Sequence, residues 1–139
     1  MTAYPVTQLR QISAPERQTA AMINYLRSMV LRPGRYSEQF HATFFDEEHT
    51  FLGDAPLGEG GGSTLSIRIR EVLGRALELD AYGIILAHNH PSGQCRPSAR
   101  DIEATQRLKH IAKALDVTLL DHLIFTHDAV YSMRAGGQL

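Results

Sequence analysis

The amino-acid sequence predicts an α/β (α+β) protein, one mixed β-sheet carrying helices, and three observations point there. Gly83 to Ala87 is continuously apolar, the composition of a strand buried on both faces. Segments with apolar residues at helical spacing lie on either side of it, and two β-prone runs close the chain. A length of 139 residues with 43% hydrophobic content suits a single domain around one core.

Ser13, with Pro15 and Glu16 behind it, reads as a helix start. Ile23, Leu26 and Val30 then recur at helical spacing until Pro33-Gly34, so a first helix is predicted over roughly 15–31. Gln39 to Phe45 and Thr50 to Leu57 are extended runs around a turn at Asp46 to His49, which makes a hairpin. The stretch GEGGGS at 58–63 has no side chains to pack and is predicted to be a mobile loop. A second helix follows, with Ile69, Val72, Leu73, Ala76 and Leu77 as its apolar stripe and its end at Asp80-Ala81-Tyr82-Gly83. After the central strand, a helix over about 99–115 turns Ile102, Leu108, Ile111, Ala112 and Leu115 inward. Val117 to Thr126 and Ala129 to Met133 are the last two strands, joined at His127-Asp128.

Charge and cysteine content narrow the function classes. A formal net charge of −1 provides no global cationic field for nucleic acid or anionic lipid. No apolar run approaches the ~20 residues needed to cross a bilayer, so a cytoplasmic protein with no membrane partner is expected. One cysteine, Cys95, excludes an internal disulfide and any site built from several thiolates.

The chemistry concentrates just past the central strand, in His88-Asn89-His90-Pro91-Ser92-Gly93 and the following Ser98-Ala99-Arg100-Asp101. Alternation in an extended chain sends His88 and His90 to the same side, with Cα atoms ~6.6 Å apart, so that both imidazoles can reach one ion. Asn89 points the other way, and Pro91 ends regular pairing where the chain leaves the sheet. Asp101, in the first turn of the next helix, brings a carboxylate from an independent element. Two histidines and one carboxylate leave a fourth tetrahedral position for water, the pattern of catalytic rather than structural zinc. The same types also suit non-haem iron. Ser98 and Asp101 have a second reading as helix cap and dipole partner, compatible with the first because a capping hydroxyl keeps its own proton to donate.

These residues resemble the JAMM motif of the JAB/MPN metallopeptidases: His88-x-His90, seven residues, Ser98, two more, Asp101. ILAHNHPSG, PS-x-x-D-I-E-A-T and LLDHLI at 119–124 are similar to the RadC-like branch, and the resemblance covers about residues 36–133. It implies a JAB/MPN-like metallohydrolase domain over 36–139 behind an N-terminal helical extension at 1–35, in a cytidine-deaminase-like three-layer arrangement. It further implies Zn(2+) held by His88, His90 and Asp101, and a peptide or isopeptide-linked protein as substrate. Glu38, two residues before Phe40, fits the place of the family's general base. Glu71, on the second helix, is the substitute. Ser98 fits the oxyanion donor.

Three departures accompany the likeness. RadC-like proteins carry an N-terminal region resembling helix-hairpin-helix DNA binders, whereas one helix precedes the first strand here, so inherited nucleic-acid binding is not expected. The alternative function that the resemblance implies is a DNA-repair-associated accessory protein of the RadC type without established catalysis; the missing region and the net charge count against it, and salt-dependent DNA binding would support it. Ile69 stands where the family commonly has proline before Arg70-Glu71, and Cys95 lies between the ligands, where a thiolate has a route to the metal or to oxidation. An exposed hairpin edge offers a way to form a homo-oligomer.

Other signals are weaker. A zinc deaminase needs a Glu two residues after its first histidine, where this chain has His90. GEGGGS lacks the Gly-Lys-Ser/Thr ending of a phosphate loop. His41, His49, His110, His122 and His127 have no paired spacing to the metal residues and read as structural or surface histidines.

Overall fold

A computed structural model describes residues 3–5, 14–34, 37–59 and 64–139. In chain order the elements are β1 (Ala3–Pro5), α1 (Ala14–Val30), β2 (Gln39–Phe45), β3 (Phe51–Glu59), α2 (Thr64–Glu78), β4 (Gly83–Asn89), α3 (Ala99–Ala114), β5 (Thr118–Phe125) and β6 (Ala129–Ser132). The strands form one mixed sheet in the order β1-β6-β5-β4-β2-β3. Among the described residues only β4 and β5 run parallel, which requires a long crossover, and α3 supplies it.

Every residue of β4 is buried, as its unbroken apolar run requires of a strand covered on both faces. Alternation splits the core into two layers. Phe40, Phe44, Ile84 and Leu86 pack with Val72, Leu73 and Ala76 of α2 and Ala104, Leu108 and Ala112 of α3. On the opposite face Ile85, Ala87, Leu123 and Phe125 pack with Leu26 and Val30 of α1. The result is the expected three-layer arrangement, helix, sheet, helix. Each fully buried Leu, Ile or Phe contributes on the order of 1.5–3 kcal/mol. At the entry to β4 a Cβ on Gly83 would lie 2.5 Å from Leu120 Cδ1, so any other residue would force the Leu120 side chain to shift.

Several details differ from expectation. β1 was not anticipated; it pairs antiparallel with β6, an edge position that tolerates Pro5. β3 continues through Gly58 and Glu59, held in register by Phe40 and Gln39, so the glycine-rich stretch is not wholly a loop. Residues 60–63 lie outside the described residues, as do Ser13 and the side chains of Pro15 and Glu16. Leu77 and Leu115, expected to face inward, are 57% and 42% exposed. Leu77 falls at the end of α2, and Leu115 caps α3 where the chain turns away. Among the described residues no helix is long and apolar enough to cross a membrane.

Candidate metal centre

The antiparallel register of β2 and β4 puts Phe40 opposite His88. Two residues outward the same face carries Glu38 beside His90. Phe40 stacks on the His88 ring, centroids 4.8 Å apart and planes 17° from parallel, and so holds that imidazole from one side. After His90 the chain turns at once: the Gly93 N–H donates to the His90 carbonyl at 3.1 Å, with Gly93 at φ +86°. This turn returns the Gln94 carbonyl to within 2.8 Å of His90 Nδ1. A carbonyl only accepts, so Nδ1 of His90 carries a proton, and Nε2, which faces the Asp101 carboxylate, is the nitrogen left to take an ion in place of a proton.

α3 begins with a reciprocal capping box. The Asp101 N–H donates to Ser98 Oγ at 3.0 Å, and the Ser98 N–H donates to Asp101 Oδ2 at 2.8 Å. The helix start thereby aims the carboxylate at the end of β4. Its Oδ2 lies 3.1 Å from His90 Nε2 and its Oδ1 3.5 Å from His88 Nε2, while the two Nε2 atoms are 3.0 Å apart. One ligand atom each from Glu38, His88 and His90 also lies within 4.8 Å of the other two, a group able to hold a metal ion. Glu38 makes no ion pair within 4.0 Å of either imidazole among the described residues, so its carboxylate stands farther back than that of Asp101.

The electrostatics favour a cation. Burial opposes ionisation of Asp101, but hydrogen bonds from both imidazoles, the charge of His88 and the Ser98 N–H outweigh it and hold the carboxyl far below its ordinary range. Burial likewise disfavours charged His90, yet Asp101 and the Gln94 carbonyl raise its pKa. Asp101 is thus ionised, and a metal ion would compete with the proton for the imidazole lone pair beside it. Glu38 is raised by burial, with Asp101 adding to the shift and the two histidines opposing it. The donor set, two imidazole nitrogens with carboxylates beside them, fits a divalent ion of the zinc type.

Of the residues singled out from sequence, Glu38, His88, His90, Ser98 and Asp101 thus come together at one end of the sheet. Glu71 does not join them: it is exposed on α2 and pairs with Arg68 at 2.9 Å. Cys95 does not turn to the ligands. Its thiol donates to the Ile124 carbonyl at 3.2 Å and its pKa is raised by burial. His41 is buried against Asp54 at 2.7 Å, and His49, His110 and His127 are exposed. His122 is a different matter, being fully buried with Nε2 2.7 Å from His88 Nδ1. Its 34-residue separation from His88 concealed that contact, and the parallel β4–β5 register, which pairs Leu86 with His122, creates it.

Comparison with known proteins gives the family. Residues 14–138 match the family described as RadC-like JAB domain. Similar proteins include a UPF0758 protein of Rhodobacter capsulatus, 40% identical over 120 residues, covering 86% of this chain and 55% of the relative. Another is a UPF0758 protein of Paraburkholderia xenovorans, 38% identical over 126 residues, covering 91% of this chain and 47% of the relative. A UPF0758 protein of Leptothrix cholodnii is 42% identical over 120 residues, covering 86% and 53%. The chain spans about half the length of these curated relatives. With a family match across nearly all of its residues, the chain belongs to the RadC-like JAB domain family.

Proposed function

We propose that this chain is a zinc-dependent hydrolase of the JAMM type that cleaves a peptide or isopeptide bond. The observation that carries the reading is the convergence of His88 Nε2, His90 Nε2 and the Asp101 carboxylate: the nitrogens are 3.0 Å apart, Oδ2 lies 3.1 Å from His90 and Oδ1 3.5 Å from His88. Tetrahedral zinc with bonds of about 2.0–2.1 Å needs ligand atoms about 3.3 Å apart, close to these values. Three protein ligands leave one position for solvent, and zinc there supplies Lewis-acid polarisation and a lowered pKa for water.

The chain's own groups do the rest. Glu38, whose carboxyl pKa is raised by burial, takes a proton from the attacking water and delivers it to the leaving amine. The Ser98 hydroxyl accepts from the Asp101 N–H and retains its proton, which it donates to the oxyanion that develops on the carbonyl. Asp101 serves both as ligand and as half of the capping box that fixes α3. A cytoplasmic setting suits the lone, half-buried thiol of Cys95.

Metal analysis of the wild-type chain beside His88→Ala and Asp101→Ala tests the reading. Roughly one zinc per chain, lost in both variants, is the expected result. Wild-type protein without metal, or variants that keep it, would overturn it.

A further inference from the structure

Building on the metal-centre reading above, we propose that His122 is the positioning residue that leaves the correct nitrogen of His88 free for the ion. His90 has a carbonyl on its outer nitrogen, which keeps a proton there. His88 has none: its Nδ1 meets His122 Nε2 at 2.7 Å, and His122 Nδ1 meets the Thr105 hydroxyl at 2.7 Å. His88, His122, Thr105 and Met133 are all 0% exposed, so bulk water does not enter this chain of contacts.

Two hydrogen-bond orders fill these contacts with the same number of protons. In the inward order Thr105 donates to His122 Nδ1, His122 Nε2–H donates to His88 Nδ1, and His88 is left with a proton on Nε2, where it blocks the ion. In the outward order His88 Nδ1–H donates to His122 Nε2 and His122 Nδ1–H donates to Thr105 Oγ1. The Thr105 hydroxyl then turns its hydrogen to Met133 Sδ, 3.8 Å away. Only the outward order presents a lone pair at His88 Nε2. Metal-bound histidines commonly place the second N–H on a carboxylate or backbone carbonyl. A neutral imidazole does the same here without adding charge, so the site keeps Asp101 as its one ionised ligand. Ser98, Glu38 and the solvent-facing rim take no part in this arrangement, which lies wholly on the buried side of His88.

The test is zinc affinity, measured by competition with a chromophoric chelator, for wild type, His122→Leu, His122→Gln and Thr105→Val, with thermal unfolding run alongside. His122→Leu is expected to bind zinc about 10–100-fold more weakly. Thr105→Val, nearly isosteric, weakens binding in the same direction. His122→Gln recovers affinity to within a few-fold of wild type, because its carboxamide oxygen lies where Nε2 did and accepts the same proton. Long-range 1H–15N spectra of the zinc-loaded wild type then show both His88 and His122 protonated on Nδ1. Wild-type affinity in a folded His122→Leu, a His122→Gln as weak as His122→Leu, or a zinc-loaded His122 protonated on Nε2 each overturns the proposal while leaving the metal centre standing. Should His122→Leu fail to fold, Thr105→Val and the tautomer spectrum decide. Wild-type protein that takes up no zinc overturns the metal centre itself.

Discussion

Asn89 takes hold of Gln39: its side-chain Oδ1 accepts the Gln39 N–H at 2.6 Å, while its Nδ2 donates to the Ser37 carbonyl at 3.4 Å. A single buried amide, set between the two histidines in sequence, therefore grips the backbone on both sides of Glu38. Asn89→Ala is expected to leave zinc content unchanged and to destabilise the fold by about 1–3 kcal/mol, the cost of orphaning a buried donor. Urea unfolding together with metal analysis checks both halves, and a variant as stable as wild type would argue that solvent replaces the amide.

Glu38→Gln separates binding from chemistry. The variant is expected to retain metal and to lose about 10²–10⁴-fold in turnover on any amide substrate that wild type cleaves. Retained turnover would transfer the proton-handling role to a different acid.

Gly93→Ala probes the turn behind His90. A Cβ there meets nothing within 4 Å, so the cost is conformational: φ of +86° is unfavourable for alanine by about 1–2 kcal/mol. Relaxation of the turn also draws the Gln94 carbonyl away from His90 Nδ1, and zinc affinity should fall about tenfold. Thermal melts with and without zinc read the two effects separately.

Asp54 gives a pH dependence remote from the metal residues. Burial pushes its carboxyl up, but hydrogen bonds with Tyr25 and His41, the charge of His41 and that of Arg75 outweigh this and lower its pKa. The folded protein thus binds this proton less readily than the unfolded chain, whose aspartates titrate at about 3.9. The stabilisation is present above that value and fades as pH falls through the folded one. Asp54→Asn should therefore lie below wild type in urea midpoint at pH 7, with the two converging as pH drops below about 4. Parallel curves at every pH would remove Asp54 from the acid dependence.

What the sequence made legible follows from short-range rules. Strand alternation set His88 and His90 on one face, and the apolar run at Gly83 to Ala87 marked the buried centre of the sheet. Ser98 and Asp101 were readable because a helix start has a local signature. The contacts missed depend on register between distant strands. Alternation alone turns Asn89 away from His88 and His90, but its reach to Gln39 needs the β2–β4 pairing. His122 had no spacing signal at all, because the parallel pairing of β4 with β5 forms only once α3 has crossed over. β1 carries three residues and a proline, too little for any periodicity.

Asp101 and Thr105 stand four residues apart on α3, so they share one side of that helix. Asp101 approaches His88 at Nε2, and Thr105 reaches toward Nδ1 through His122. The imidazole sits as if in calipers whose two jaws grow from one shaft, and that shaft is seated on the sheet by Leu108 and Ala112. Slippage of the shaft by even one turn, ~5.4 Å, would open both jaws at once. Placement of both groups that flank His88 is therefore coupled to the seating of α3 as a whole.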